Sequence, residues 1–179
     1  MQFDASEVLQ TPERDIMLKL LHLHVIAERQ QKCFQRFPNV LHDFGFGAGF
    51  GAYPVTGPGL IQATNGNSYG TTYQGGTYNY GTVFEITPRG ASTTLHSFDL
   101  SDGANPDAGL VQASNGRFYG TTYQGGASNY GTVFEINSGG TLSTLHSFAG
   151  TDGAYPYAAL VQANNGKLYG TTAYGAQGC

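Results

Sequence analysis

The chain has 179 residues and a formal net charge of −4; 11% of its residues are charged, against 27 glycines, 12 tyrosines and 11 phenylalanines. Few charges with many aromatics exclude a disordered chain, and the length suffices for one domain with its own core. Beyond residue 40 there are seven acidic and three basic residues, so no basic patch exists to neutralise phosphates and nucleic acid is not an expected partner.

The chain begins with a charged head, residues 1–39, which carries five acidic and five basic side chains. Residues 12–37 read as an α-helix. Thr11 suits the N-cap, Pro12 the first helical position, Glu13 and Asp15 the positive end, Lys32 and Arg36 the negative end, and Pro38 stops it. Ile16, Leu20, Leu23, Ala27, Gln30, Phe34 and Phe37 form one stripe, which packs on the rest of the chain or on another helix; a short dimerising coiled coil is the alternative. His22, His24 and Cys33 lack zinc-ligand spacing, so no metal and no cofactor is expected. Cys33 and Cys179 are two thiols at opposite ends of the chain, which make no disulfide framework and no metal cluster. No apolar run is long enough to span a membrane. The opening Met1-Gln2-Phe3-Asp4 does not read as a signal peptide, and a start at Met17 leaves export open.

From residue 40 to 179 the chain repeats every fifty residues. Leu60-Ile61-Gln62-Ala63 returns at Leu110 and Leu160, Tyr69-Gly70-Thr71-Thr72 at Tyr119 and Tyr169, Gly81-Thr82-Val83-Phe84-Glu85-Ile86 at Gly131, and Leu95-His96-Ser97-Phe98 at Leu145. Between 60–109 and 110–159, 32 of 50 positions are identical. An echo at Leu41-His42-Asp43-Phe44 precedes the first copy, and a partial copy occupies 160–179. Each copy divides into four strand candidates, in the second copy Leu110–Ser114, Arg117–Tyr123, Gly131–Ile136 and Thr141–Phe148. Asn115-Gly116 reads as a two-residue hairpin turn, and Ser138-Gly139-Gly140 as the third-to-fourth connection. Strands such as Thr132–Ile136 do not alternate cleanly, which fits sheets stacked face to face with both faces partly buried. Four antiparallel strands in fifty residues is the unit of a β-propeller blade. The expected fold is all-β: propeller-like four-stranded blades in an incomplete ring of about two and a half, behind an N-terminal α-helix.

The string Asp-Gly-Ala-Asn-Pro, Gly-Leu-Val-Gln, Asn-Gly, Phe-Tyr-Gly-Thr-Thr, Gly-Gly, Gly-Thr-Val-Phe and Thr-Leu-His-Ser-Phe, standing at Asp102–Phe148, resembles the GloVer tandem repeat of bacterial choice-of-anchor proteins. The resemblance runs over about 41–172. It implies an exported or cell-surface repeat protein with a propeller-like fold, and neither catalytic residues nor a defined ligand. Few copies, the lack of a clear signal peptide and the lack of a recognisable anchor depart from that pattern.

A four-strand meander puts the second-to-third loops and the inter-blade loops at one end. Tyr73, Gln74, Asn79, Tyr80, Tyr123, Gln124, Asn129 and Tyr130 are the candidate ligand-binding residues there, with Tyr78, Tyr155 and Tyr157 in the same loops. Tyrosine rings cover apolar sugar faces and amides match hydroxyls, so a glycan or a protein is the expected ligand. The competing reading is that these residues recur because every blade needs the same packing and turns. Asp102 and Asp152 read as turn residues, and His42, His96 and His146 as structural hydrogen-bond donors within each blade. No nucleophile, zinc or phosphate-loop motif is present. The expected function is a non-catalytic extracellular binding or scaffold module. The alternatives are a propeller-type polysaccharide or lactone hydrolase or lyase using Glu85 and Glu135, and a truncated product without independent function. A homo-oligomer in which two chains complete one ring is the corresponding quaternary arrangement.

Overall fold

In this computed structural model the described residues are 51–55 and 59–175, and all belong to one compact unit, His42–Cys179. The expected helix at 12–37 and the repeat echo at Leu41-His42-Asp43-Phe44 lie outside them. Among the described residues every element is a strand, and every pairing is antiparallel.

The first sheet contains β1 (Gly51–Pro54), β2 (Leu60–Gln62), β3 (Ser68–Gly75), β4 (Thr82–Ile86) and β5 (Ser92–Ser97). Strands β2, β3, β4 and β5 form a meander, while β1 and β2 lie end to end along one edge of β3. The second sheet repeats the meander with β6 (Val111–Gln112), β7 (Phe118–Thr122), β8 (Thr132–Ile136) and β9 (Leu142–Ser147). The third sheet is the hairpin β10 (Val161–Gln162) and β11 (Leu168–Tyr169). Each strand expected in the second copy is present, trimmed at its ends.

The Asn-Gly turns differ in detail from the two-residue form expected. The Ala63 N–H donates to Asn67 O at 2.9 Å and the Gly66 N–H to Ala63 O at 2.9 Å, which closes a three-residue loop. Only Gly66 takes positive φ, 84°. Asn65 keeps negative φ because its side chain finds a better role: Oδ1 accepts the Asn67 N–H at 3.0 Å. A type I turn followed by a left-handed glycine has this pattern. It recurs at Gly116 and Gly166, and the third-to-fourth connections at Gly90 and Gly140 close in the same way.

The sheets stack face to face. Tyr69 of the first lies on Phe118 of the second with ring centroids 4.2 Å apart, and Phe98 meets Phe134 edge-on at 5.2 Å. Val83, Leu110 and Ile136 complete this core. A smaller one, Ala113, Tyr119 and Leu160 with Val111, Val133 and Leu168 beside it, joins the second and third sheets. All five residues of β7 are buried, as a strand covered on both faces must be.

Residues that recur in sequence mostly serve this stacking. Gln112 Oε1 accepts the Thr64 N–H at 3.1 Å and Gln162 Oε1 the Ser114 N–H at 3.0 Å, each tying one sheet to the next. The Thr71 hydroxyl donates to Ala108 O at 3.0 Å, and the Thr72 and Thr82 hydroxyls pair at 2.8 Å. Buried hydroxyls need such partners, and among the described residues no buried side-chain N or O atom lacks one.

Candidate functional site

The second-to-third loops and the inter-sheet connections meet at one end, as the meander requires. The Gly126 N–H donates to Leu100 O at 2.8 Å, so the two loop types touch. Each connection then turns back along the neighbouring sheet. Ala104 bridges Gln124 and Ala154 bridges Tyr174, both antiparallel. Asn105 N–H donates to Tyr80 O at 2.7 Å while Asn105 O accepts from Tyr123 N–H at 3.0 Å; Tyr155 does the same with Tyr130 and Ala173. Tyr53, Asn105 and Tyr155 hold equivalent left-handed conformations, φ 55°, 55° and 56°. For tyrosine that conformation is uncommon and is maintained by the paired main-chain bonds on either side.

Of the eight candidates, the two asparagines act within their loops: Asn79 Oδ1 accepts the Gly75 N–H at 3.0 Å and Asn129 Oδ1 the Gly125 N–H at 2.9 Å. Gln74 and Gln124 pair through their backbones with Ala52 and Ala104. Tyr73 and Tyr80 offer their carbonyls to Asn105, the former to its side-chain amide at 3.0 Å. Tyr123 and Tyr130 stand apart from these, because their rings join a cluster. Tyr123 lies 4.9 Å from Tyr155 and 4.6 Å from Tyr157, Tyr130 lies 5.6 Å from Tyr155, and Tyr155 lies 5.8 Å from Tyr174. The Tyr123 hydroxyl is pushed above its ordinary pKa, chiefly by its hydrogen bond with Tyr157, then by desolvation and by the nearby Asp107. Burial alone pushes the Asp107 carboxyl up.

A cleft of about 350 Å³ opens beside this cluster, lined by Tyr130, Tyr155 and Tyr174 and floored by Gly150, Thr151 and Ala154. Tyr130, Ala154 and Gly175 recur from the preceding copy, but several residues in and beside the cleft differ between copies. Tyr155 replaces Asn105, Tyr157 replaces Asp107, Tyr174 replaces Gln124 and Gly150 replaces Leu100. A Cβ on Gly150 would stand 3.2 Å from the Tyr130 ring, so a leucine there would narrow the opening. Tyr174 was absent from the sequence-derived candidates; the signal that would have found it is divergence from an otherwise strict repeat, since stacking cannot be what selects it.

The recurring histidines and aspartates form pairs: His96 Nε2 to Asp102 Oδ2 at 2.7 Å and His146 Nε2 to Asp152 Oδ2 at 2.8 Å. The bond runs from the fourth strand to the following connection. Asp102 O also accepts the Thr132 and Thr144 hydroxyls at 3.1 and 3.2 Å, which links the pair to the second sheet. Asp102 is therefore more than a turn residue. The Asp152 carboxyl is held below its ordinary value, chiefly by the Ala149 N–H, with His146 adding a hydrogen bond and a charge. A carboxyl whose pKa is lower folded than unfolded adds stability above its unfolded pKa and loses it as pH falls through the folded one. Acid destabilisation of the protein from about pH 5 downward is thus expected to be shallower in Asp152→Asn, with some stability lost at neutral pH. Thermal melts of both proteins across that range read this directly, and parallel curves would contradict it.

The two glutamates weighed as catalytic are engaged elsewhere. Glu85 Oε1 accepts from the Tyr69 hydroxyl at 2.6 Å and from Asn67 Nδ2 at 2.6 Å, and the Tyr69 hydroxyl accepts Asn65 Nδ2 at 2.7 Å. Glu135 pairs with Arg117. Among the described residues no group of His, Cys, Asp and Glu could hold a metal ion, and no helix is long and apolar enough to cross a membrane.

Stacked antiparallel meanders at a fifty-residue period define an all-β tandem-repeat protein. The model of the Gloeobacter/Verrucomicrobia repeat matches residues 34–178, and the chain belongs to that family. Among curated proteins none matches the chain.

Proposed function

We propose that this chain is a non-catalytic, exported repeat module that binds a neutral glycan in the tyrosine cleft at the loop end. Its sheets are read as propeller-type blades, about two and a half of them, following a helical head at 1–39. The observation that carries the reading is the convergence of Tyr130, Tyr155 and Tyr174 on one open cleft, with Tyr123 and Tyr157 joined to it through Tyr155; Tyr155, Tyr157 and Tyr174 stand at positions the repeat does not dictate. Tyrosine faces cover the C–H faces of a sugar ring while their hydroxyls hydrogen-bond its rim, with little conformational entropy to lose. The structural engagement of Glu85 and Glu135 supports a binder over a hydrolase.

A glycan array probed with the full chain, followed by titration calorimetry on the best neutral oligosaccharide, tests this. Tyr155→Ala removes the ring that contacts three of the other four, and is expected to weaken binding by about tenfold, roughly 1.4 kcal/mol. Tyr78→Ala, an exposed tyrosine outside the cluster, is expected to leave it unchanged. A blank array, or equal loss from both variants, would overturn the assignment.

A further inference from the structure

The three Asn-Gly turns are alike in backbone and differ in one side-chain bond. In each, the asparagine Oδ1 accepts the N–H two residues on, at 3.0 Å: Asn65 from Asn67, Asn115 from Arg117 and Asn165 from Lys167. In each, the space around the glycine is open, with nothing within 4 Å of where a Cβ would sit on Gly66, Gly116 or Gly166. In the first two turns the asparagine is held a second time. Asn65 Nδ2 donates to the Tyr69 hydroxyl at 2.7 Å and Asn115 Nδ2 to the Tyr119 hydroxyl at 2.8 Å. Tyr69 and Tyr119 are themselves fixed, because each is buried against the next sheet. The third turn has no such bond. Tyr169 is 54% exposed and makes no hydrogen bond with Asn165.

We infer that Asn165 is a site of spontaneous deamidation, and that tyrosine hydroxyls restrain the same reaction at Asn65 and Asn115. The Gly166 main-chain nitrogen attacks Asn165 Cγ and forms a five-membered succinimide. The C–N bond of the side-chain amide breaks, and its nitrogen leaves as ammonia with the proton lost from the Gly166 N–H. Water then opens the ring at one carbonyl or the other, leaving aspartate or isoaspartate. One water is consumed, one ammonia is released and nothing is oxidised. Glycine suits this step because no side chain shields its nitrogen; in all three turns the attack must also break the bond from that N–H to the alanine carbonyl three residues back, 2.9, 2.8 and 2.9 Å at Gly66, Gly116 and Gly166, so this requirement does not distinguish them. To react, Cγ must swing toward that nitrogen, which breaks the Oδ1 bond in every turn. At Asn65 and Asn115 the bond to tyrosine must break as well. One net hydrogen bond retards the reaction on the order of 5-fold. The product adds a negative charge to the turn between β10 and β11, and in its isoaspartyl form inserts an extra backbone carbon there.

The test is peptide mapping by mass spectrometry of the full chain held in mildly alkaline buffer, with isoaspartyl methyltransferase labelling to locate the β-linked product. Folded protein is expected to convert Asn165 several-fold faster than Asn65 or Asn115. Tyr119→Phe keeps the buried ring and removes the hydroxyl, so it is expected to raise the Asn115 rate toward that of Asn165 and leave Asn65 unchanged. In denaturant the three rates are expected to converge. Equal rates in the folded protein, an Asn115 rate indifferent to Tyr119→Phe, or an Asn165 excess that persists in denaturant would each overturn the assignment.

Discussion

Replacing Phe134 by alanine is expected to destabilise the protein by about 3–5 kcal/mol. Phe134 is fully buried and meets Phe98 of the first sheet edge-on. Its ring also covers Gly120, with Cζ 2.6 Å from where a glycine Cβ would be. Truncation therefore removes transfer free energy and leaves a cavity between two sheets whose registers are fixed on both sides, so collapse is limited. The molecule contains an image of that cavity. At the equivalent place over Gly170 only Leu160 approaches, and a space of about 290 Å³ lies between Val133, Phe148, Leu160, Leu168 and Gly170. Urea denaturation followed by circular dichroism is the measurement. A midpoint shift worth less than about 1 kcal/mol, well under the range for burying a phenylalanine, would show that the stacked core does not depend on this ring.

The second large effect is expected at Gly131, and it is best read against Gly116. Both glycines have positive φ, 95° and 80°. A Cβ on Gly131 would stand 2.4 Å from Thr122 O and 2.7 Å from Pro156 Cδ, whereas one on Gly116 meets nothing within 4 Å. Gly116→Ala is expected to cost only the left-handed conformation, roughly 1 kcal/mol. Gly131→Ala adds a clash with main chain and with a proline ring locked in the next connection, neither of which can rotate away, and is expected to cost about 3 kcal/mol. Paired thermal melts test this; equal costs would mean that the Pro156 connection yields, and that the junction between the second and third sheets is softer than its bonds suggest.

Most of the architecture was legible in the sequence because the fifty-residue period repeats the strand order as well as the residues. Gly131-Thr132-Val133-Phe134-Glu135-Ile136 could be read as a strand with both faces partly buried, and in the structure Thr132, Phe134 and Ile136 are buried while Val133 and Glu135 are half-buried. The turn was placed correctly at Asn115-Gly116 but its form was not, since a dipeptide does not reveal whether asparagine or only glycine takes positive φ; the Oδ1 bond to Arg117 N–H decides that. The site was partly legible. Aromatic loops at one end followed from the meander, which drew attention to Tyr123 and Tyr130. Their neighbours Asn79, Asn129, Gln74 and Gln124 looked alike as candidates, yet the asparagines cap their own loops and the glutamines sit in the backbone ladder.

The repeat, the strand order and the end at which the loops gather were all readable from the chain, because these three are properties of spacing along it; the family was readable from the residues of the motif string at Asp102–Phe148. The tertiary structure decided what each repeated residue does and which tyrosines meet. Glu85, Thr72, Gln112 and His96 find their partners across strands or across sheets, at separations that local pattern does not encode. The cleft exists only where the second and third sheets face one another, at Tyr130, Tyr155 and Tyr174. Tyr155 and Tyr174 depart from the repeat, so the periodicity that made the fold readable gave no instruction about them.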